Sequence, residues 1–326
     1  MLVPAHFSLD GPAQVLTALV PVLFLASAGW GVARLKLLQA TTVKELSNLV
    51  FYLFLPALLF RAMAKADFGS LDWAPIVVYF GVALCTWWMM VWRGAYTPQG
   101  VVQGLASVFS NTGMIGVPII TLAYPNGLVT LLMIISVHAM ILLTVNTMTM
   151  ETALQHERHD ESSQAKQHMW QTAARAARSS LLHPVPIPIF AGLLWSWSGW
   201  SMPGVMDEPL KLLGGAFSPM ALVMLGASTY LQASGLPWKP VLRPILVKLV
   251  VFPALVAAVA WALGITGVTL AVLTVTAALP AGANVFIFAQ RYGRASDDAS
   301  MCVSGGTVVS VITLSVWMTL TAWWLS

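Results

Sequence analysis

Charge is what this chain has least of. Only 9% of its 326 residues are Asp, Glu, Lys or Arg, whereas 58% are hydrophobic. A soluble domain carries about a quarter charged residues, so a chain of this length could not cover a water-facing surface with so few. The shortage excludes a water-soluble enzyme, a nucleic-acid-binding protein and a disordered chain, and leaves an all-α polytopic membrane protein. Cysteine is scarce too. Cys85 and Cys302 each fall inside an apolar run, which predicts free packing thiols and neither a disulfide nor a metal pair. No basic residue precedes the first apolar run, so residues 1–12 do not read as a cleaved signal peptide. A phosphate-binding loop, a metal-ligand cluster and a nucleophile–base pair are also missing. No catalytic residue, metal or cofactor is expected, and the net charge of +4 is not a nucleic-acid signal.

What the chain does have is long apolar runs. A bilayer core about 30 Å thick needs roughly 20 apolar residues per helix. Breaks at charges, Pro and Gly give ten spans, at 13–33, 45–64, 73–92, 99–123, 127–150, 184–202, 209–232, 240–263, 267–290 and 298–325. Thirteen of the sixteen Lys and Arg fall on the side of the odd-numbered loops, with Lys248 assigned there as a snorkelling side chain. Arg61, Lys65 and Lys211 fall on the other. Cations mark cytoplasmic loops, so both termini are expected outside an inner membrane.

One long hydrophilic stretch, 151–183, reads as a cytoplasmic linker with a short helix near Ala173–Arg178. It divides the chain into halves of five spans, 1–150 and 184–326. Five is odd, so the second half enters the bilayer with opposite polarity, the inverted-repeat arrangement of secondary carriers. Trp323, Trp324, Trp87, Trp88 and Trp92 read as interfacial anchors. Gly226, Ala227, Ser228, Gly305 and Gly306 read as places of close helix approach.

Spans four and nine are each interrupted. Ser110-Asn111-Thr112-Gly113 leads into Gly116-Val117-Pro118, and Leu279-Pro280-Ala281-Gly282 leads into Asn284. Pro removes a backbone donor and Gly has little helix propensity. Unpaired backbone in hydrocarbon survives only where protein or a wet cavity surrounds it. If the two breaks cross, two half-helix N-termini point at one place and make an anion site without a buried cation. Asn111, Thr112, Gly113, Gly116, Pro118, Pro280, Gly282 and Asn284 are the candidate substrate-binding residues.

All twelve acidic residues lie at span ends or in loops. A carboxylate is the usual intramembrane proton relay or sodium ligand, so strong coupling to either ion is not expected. His138 is the clear intramembrane ionisable side chain. It reads as a neutral interhelical hydrogen-bonding partner, with proton coupling the sharper alternative. Ser136, Thr144 and Asn146 on the same span read as packing polars.

Asn111-Thr112 with Gly116-Val117-Pro118, Leu279-Pro280-Ala281-Gly282 and Phe286 through Gly293 resemble the auxin efflux carrier family. Phe51 through Leu58 and Lys248 through Ala254 support the resemblance, which covers nearly the whole chain. That family includes plant auxin exporters and bacterial malonate and malate carriers, and belongs with the bile acid and arsenite transporters. The resemblance implies ten transmembrane helices as two inverted five-helix repeats. Spans one, two, six and seven would form a scaffold, open to a homodimer, and the rest a transport domain. The broken helices would cross at Pro118 and Pro280. A small organic anion, a dicarboxylate or an auxin-like weak acid, would be carried elevator-fashion through the lipid bilayer. Two other readings stand beside this one: a sodium-coupled symporter of bile-acid type, and a non-transporting membrane sensor.

Overall fold

The computed structural model describes residues 12–66, 72–158, 185–231 and 238–324, with four helical residues between 171 and 178. Helix α1 runs over Pro12–Arg34, α2 over Ala40–Ala64, α3 over Ala74–Arg93 and α4 over Pro98–Ala106. There follow α5 (Thr112–Ala123), α6 (Leu128–Arg158), α7 (Pro186–Trp197) and α8 (Gly204–Leu231). The last four are α9 (Lys239–Ala262), α10 (Gly267–Ala278), α11 (Asn284–Tyr292) and α12 (Ser296–Trp323). Among the described residues there is no β-strand, and one isolated antiparallel bridge joins Ser110 to Ala281.

By length and composition, α2, α3, α6, α8, α9 and α12 are apolar enough to cross a membrane, while α5, α7, α10 and Val20–Arg34 of α1 are shorter apolar helices. Large apolar side chains point outward from most of these elements, among them Phe24, Trp197, Leu212, Trp261 and Ile312. An exterior of this kind needs a lipid environment. The segments expected at 99–123 and 267–290 are each two helices with a gap, and 184–202 is helical over only 12 residues.

Proline shapes these helices in two ways. Pro56, Pro118 and Pro253 each follow a π-helical turn, over Val50–Phe54, Thr112–Gly116 and Val247–Val251. The ring removes one donor and pushes on the preceding turn, and the helix absorbs both by taking an extra residue per turn. Pro118 therefore bulges α5 without breaking it, contrary to expectation. Pro280 stands at a true break, because Leu279 is extended (ψ 146°) and ends α10.

Two groups of helices pack around the gaps. In one, α1 lies along α8, and α2 packs between α7 and α8. Glycine sets the closest approach: a Cβ on Gly226 would lie 1.8 Å from the Ala26 carbonyl oxygen, and one on Gly29 would lie 1.9 Å from that of Val223. Gly306 has no comparable neighbour, so the expectation of close packing there is not met. In the other group, α3, α4, α6, α9, α10, α11 and α12 surround the bridge. Between the groups runs a seam with a cavity of about 230 Å³, lined by apolar side chains of α1, α5, α8 and α12 such as Val22, Ile119, Leu222 and Leu314.

Polar ties sit at helix ends. Asp207 at the start of α8 accepts Arg61 and Lys65 from the end of α2, both at 2.7 Å. Glu157 pairs with Arg294 at 2.8 Å, and the Tyr292 hydroxyl donates to Glu151 at 3.0 Å. Those two glutamates lie on α6, so the hydrophilic stretch begins inside a helix and not as a linker at 151. Most of that stretch lies outside the described residues; of the helix expected at 173–178, Ala174 and Arg178 are described and helical. Trp87 is also corrected: it is 5% exposed and donates its indole N–H to Asn146 at 2.9 Å, whereas Trp88 and Trp92 face outward. The thiols of Cys85 and Cys302 are free.

Gly226→Val drives a side chain into backbone that cannot move aside. It is expected to cost about 1–3 kcal/mol or more, as overpacking does, read as a lowered thermal unfolding midpoint of the purified chain. Gly31→Ala, where an added Cβ meets nothing within 4 Å, should leave that midpoint within a degree or so.

Candidate functional site: the crossed half-helices

The gaps between α4 and α5 and between α10 and α11 meet each other. Asn111 N–H donates to the Pro280 carbonyl at 2.9 Å, and Gly282 N–H donates to the Phe109 carbonyl at 3.0 Å. The crossing therefore lies at Ser110 and Ala281. It falls at Pro280 as expected but eight residues before Pro118, which is buried near the start of the regular part of α5. Gly282 allows the approach, since a Cβ there would meet the Phe109 ring at 3.2 Å and the Ser110 carbonyl oxygen at 3.4 Å.

The N-termini of α5 and α11 emerge from this crossing. Helix starts leave backbone donors unpaired. Here the N–H groups of Gly113, Met114, Ala283 and Asn284 have no hydrogen-bond partner among the described residues. All four residues line one cavity of about 380 Å³, which α2 closes with Ser47, Asn48 and Phe51. His138 of α6 lines it too, 2% exposed, its ring edge-on to Phe109 with centroids 4.6 Å apart. Neither His138 nitrogen has a partner, so the expected interhelical hydrogen bond is not formed. A buried polar side chain without a partner is costly, and one facing a cavity of unpaired donors suits a polar guest.

A second cavity, of about 390 Å³, lies on the other side. It shares Asn111, Met114 and Ala283 with the first, and reaches Ser228 and Thr229 of α8 and Ser300, Ser304 and Thr307 of α12. The crossing is thus the wall between two cavities. Backbone donors and helix dipoles converging on a desolvated pocket attract an anion. The lining offers no nucleophile–base pair, and among the described residues no three His, Cys, Asp or Glu side chains group to hold a metal.

Comparison with known proteins fits this architecture. A family model described as membrane transport protein matches residues 14–318. The chain belongs to this family, which is that of the auxin efflux carriers. The "Putative malonate transporter" of Rhizobium meliloti (strain 1021) is 25% identical over 319 residues, covering 93% of this chain and 94% of its own. "Auxin efflux carrier component 8" of Arabidopsis thaliana is 28% identical over 145 residues, 43% of this chain and 40% of its own. The "Lysosomal cholesterol signaling protein" of Mus musculus is 24% identical over 67% of this chain but only 26% of its own length. This membrane transport protein is a multi-pass membrane protein.

Within it, Asn111, Thr112, Gly113, Gly282, Asn284 and His138 come together on the first cavity. The other candidates do not line it. Gly116 faces the Leu279 side chain, Pro118 is buried in α5, and Pro280 contributes its carbonyl to the bridge.

Sequence reasoning missed Ser110, Tyr79 and above all Lys248. Lys248 does not snorkel to an interface. It is 1% exposed, and its Nζ donates to Ser110 Oγ at 2.9 Å and to the Ala277 carbonyl. Tyr79 Oη shares the same Ser110 hydroxyl at 3.1 Å. The signal was available: a cation inside Ile245–Ala254 is an intramembrane charge, which is functional by default.

Because the bridge and not Pro118 holds the crossing, Gly282→Val is expected to destabilise the chain by about 1–3 kcal/mol. Pro118→Ala should change its unfolding midpoint far less. Thermal unfolding of the two purified variants against the parent makes the comparison.

Proposed function

We propose that this membrane transport protein is a secondary carrier of small organic anions, held at the crossing of α4–α5 with α10–α11. One observation carries the reading: the N–H groups of two helix starts, unpaired, share a cavity with a buried histidine that also lacks a partner. Asn111, Thr112, Gly113 and Asn284 supply donors to a carboxylate at the helix starts, and His138 meets a second polar group of the guest. The name of the Rhizobium relative favours malonate or another short dicarboxylate, and the volume of the cavity suits a guest of that size.

The transport cycle we infer is elevator-like. Ten transmembrane helices form two inverted repeats, 1–150 and 184–326, joined through the 151–183 stretch. The group containing α1, α2, α7 and α8 serves as scaffold, with a homodimer surface. The group around the bridge moves, exposing the guest first to one cavity and then to the other. Both termini lie outside the inner membrane. Each negative charge moved outward across an inside-negative membrane gains about 2.3 kcal/mol per 100 mV, so uncoupled movement runs toward export.

In proteoliposomes, Asn111→Ala and Gly113→Leu should each lower labelled-malonate flux by about tenfold or more, the loss of at least 1.4 kcal/mol of binding, while monodispersity and thermal unfolding stay close to the parent. Gly113 suits the test, because a Cβ there meets side chains only at 3.8 Å and beyond. Parental flux in both variants removes the site. Saturable malonate binding without flux favours the sensor reading, which the likeness to the mouse signaling protein supports.

A further inference from the structure

The crossing has four helix ends, and the anion uses only two. The N-termini of α5 and α11 face the first cavity. The C-termini of α4 and α10 lead into the bridge from its other two ends, and a helix end leaves its last carbonyls without helical partners. A helix C-terminus carries partial negative charge and stabilises a cation. In carriers with broken helices, such ends and the unwound carbonyls beside them are where a coupling sodium ion or proton is held.

Here that place is filled by the protein itself. Lys248 reaches in from the π-helical turn of α9, and its ammonium has three donors to satisfy. One goes to Ser110 Oγ at 2.9 Å, beside the end of α4, and one to the carbonyl of Ala277, in the last turn of α10. The third side faces the Phe252 ring, whose centroid lies 5.1 Å from Nζ, a contact that favours a cation. The π-helical turn that presents Lys248 is the one Pro253 induces, so the proline and the lysine form one device. Salt bridges among the described residues involve Arg61, Lys65, Lys211 and Arg294, and none involves Lys248. Two oxygen acceptors and a ring face stand in for water around this amine when it is charged, and among the described residues no carboxylate pairs with it. Ser110, which it grips, lines the first cavity and precedes Asn111, one of the three residues common to both cavities.

We propose that the Lys248 ammonium is a tethered counter-cation. It occupies the place of a co-transported cation at the crossing, so the carrier binds its anion without sodium. Lys248 touches neither cavity, so it is a positioning residue that acts through Ser110 and through its field. This inference rests on the organic-anion reading above for its guest, but not for its cation.

The test uses the purified full chain, thermal unfolding as readout, malonate as probe, and sodium chloride exchanged for choline chloride at equal ionic strength. The parent should give the same malonate midpoint in both salts. Lys248→Arg should stay within about threefold of the parent, and Lys248→Met should weaken malonate by about tenfold or more, a loss of at least 1.4 kcal/mol. Malonate stabilisation of the parent that requires sodium overturns the proposal, and so does parental affinity in Lys248→Met.

A third variant separates charge from packing and needs no malonate response. Lys248→Ala lacks the atoms of n-propylammonium. Its unfolding midpoint should rise saturably with n-propylammonium or with sodium and not with n-propanol, while the parent responds to neither cation. No such rise overturns the tethered cation even if malonate binds. A rise in a chain that ignores malonate upholds the cation and removes the proposed guest instead.

Discussion

Two backbone hydrogen bonds, from Asn111 to Pro280 and from Gly282 to Phe109, are the constraint on which the rest of the molecule depends. In an apolar surround an unpaired amide costs several kcal/mol, so a chain that leaves helical geometry there must find partners for what it exposes. Each gap finds them in the other. The pairing uses up the donors of Asn111 and Gly282 and the carbonyls of Phe109 and Pro280. It leaves over the N–H groups just inside α5 and α11, along with carbonyls at the end of α10. Those leftovers have opposite sign and flank one bridge. The first cavity takes the donors, and Lys248 takes the carbonyl of Ala277.

Much of this was legible in the sequence, and the failures have physical reasons. Charge scarcity and apolar run length gave nearly every helix, because a lipid-facing element must be apolar over most of its surface. The two interruptions were visible as Gly and Pro beside Asn. Their exact position was not, since proline has two outcomes. With helical residues on both sides the helix continues, through a π-helical turn at Pro56, Pro118 and Pro253 and as regular α-helix at Pro21 and Pro219. Beside an extended residue such as Leu279, it ends. Only the packing of a facing segment decides between them, and Ser107–Asn111 carries no proline of its own.

Lys248 and Trp87 depart from the sequence expectation for a related reason. Charge and aromaticity near a span end suggested an interface, yet each side chain turns inward to a polar partner, Ser110 in one case and Asn146 in the other. Direction around a helix is set by its neighbours and not by depth along it. His138 was recognised as intramembrane, but its lack of any hydrogen bond could not be read from one strand of sequence.

The cavity along the seam between α1 and α8 on one side and α5 and α12 on the other carries a mechanical consequence. Within the first group, the Gly29 and Gly226 contacts press backbone against backbone and leave no room for play. Along the seam, apolar side chains meet across empty volume and forfeit dispersion contacts, with little polar chemistry to hold register. A body with interlocked parts and one greasy, underfilled joint yields at the joint. In the elevator-like cycle proposed above the seam would be the slip plane, and filling it with larger side chains would then brake that motion without touching the bridge.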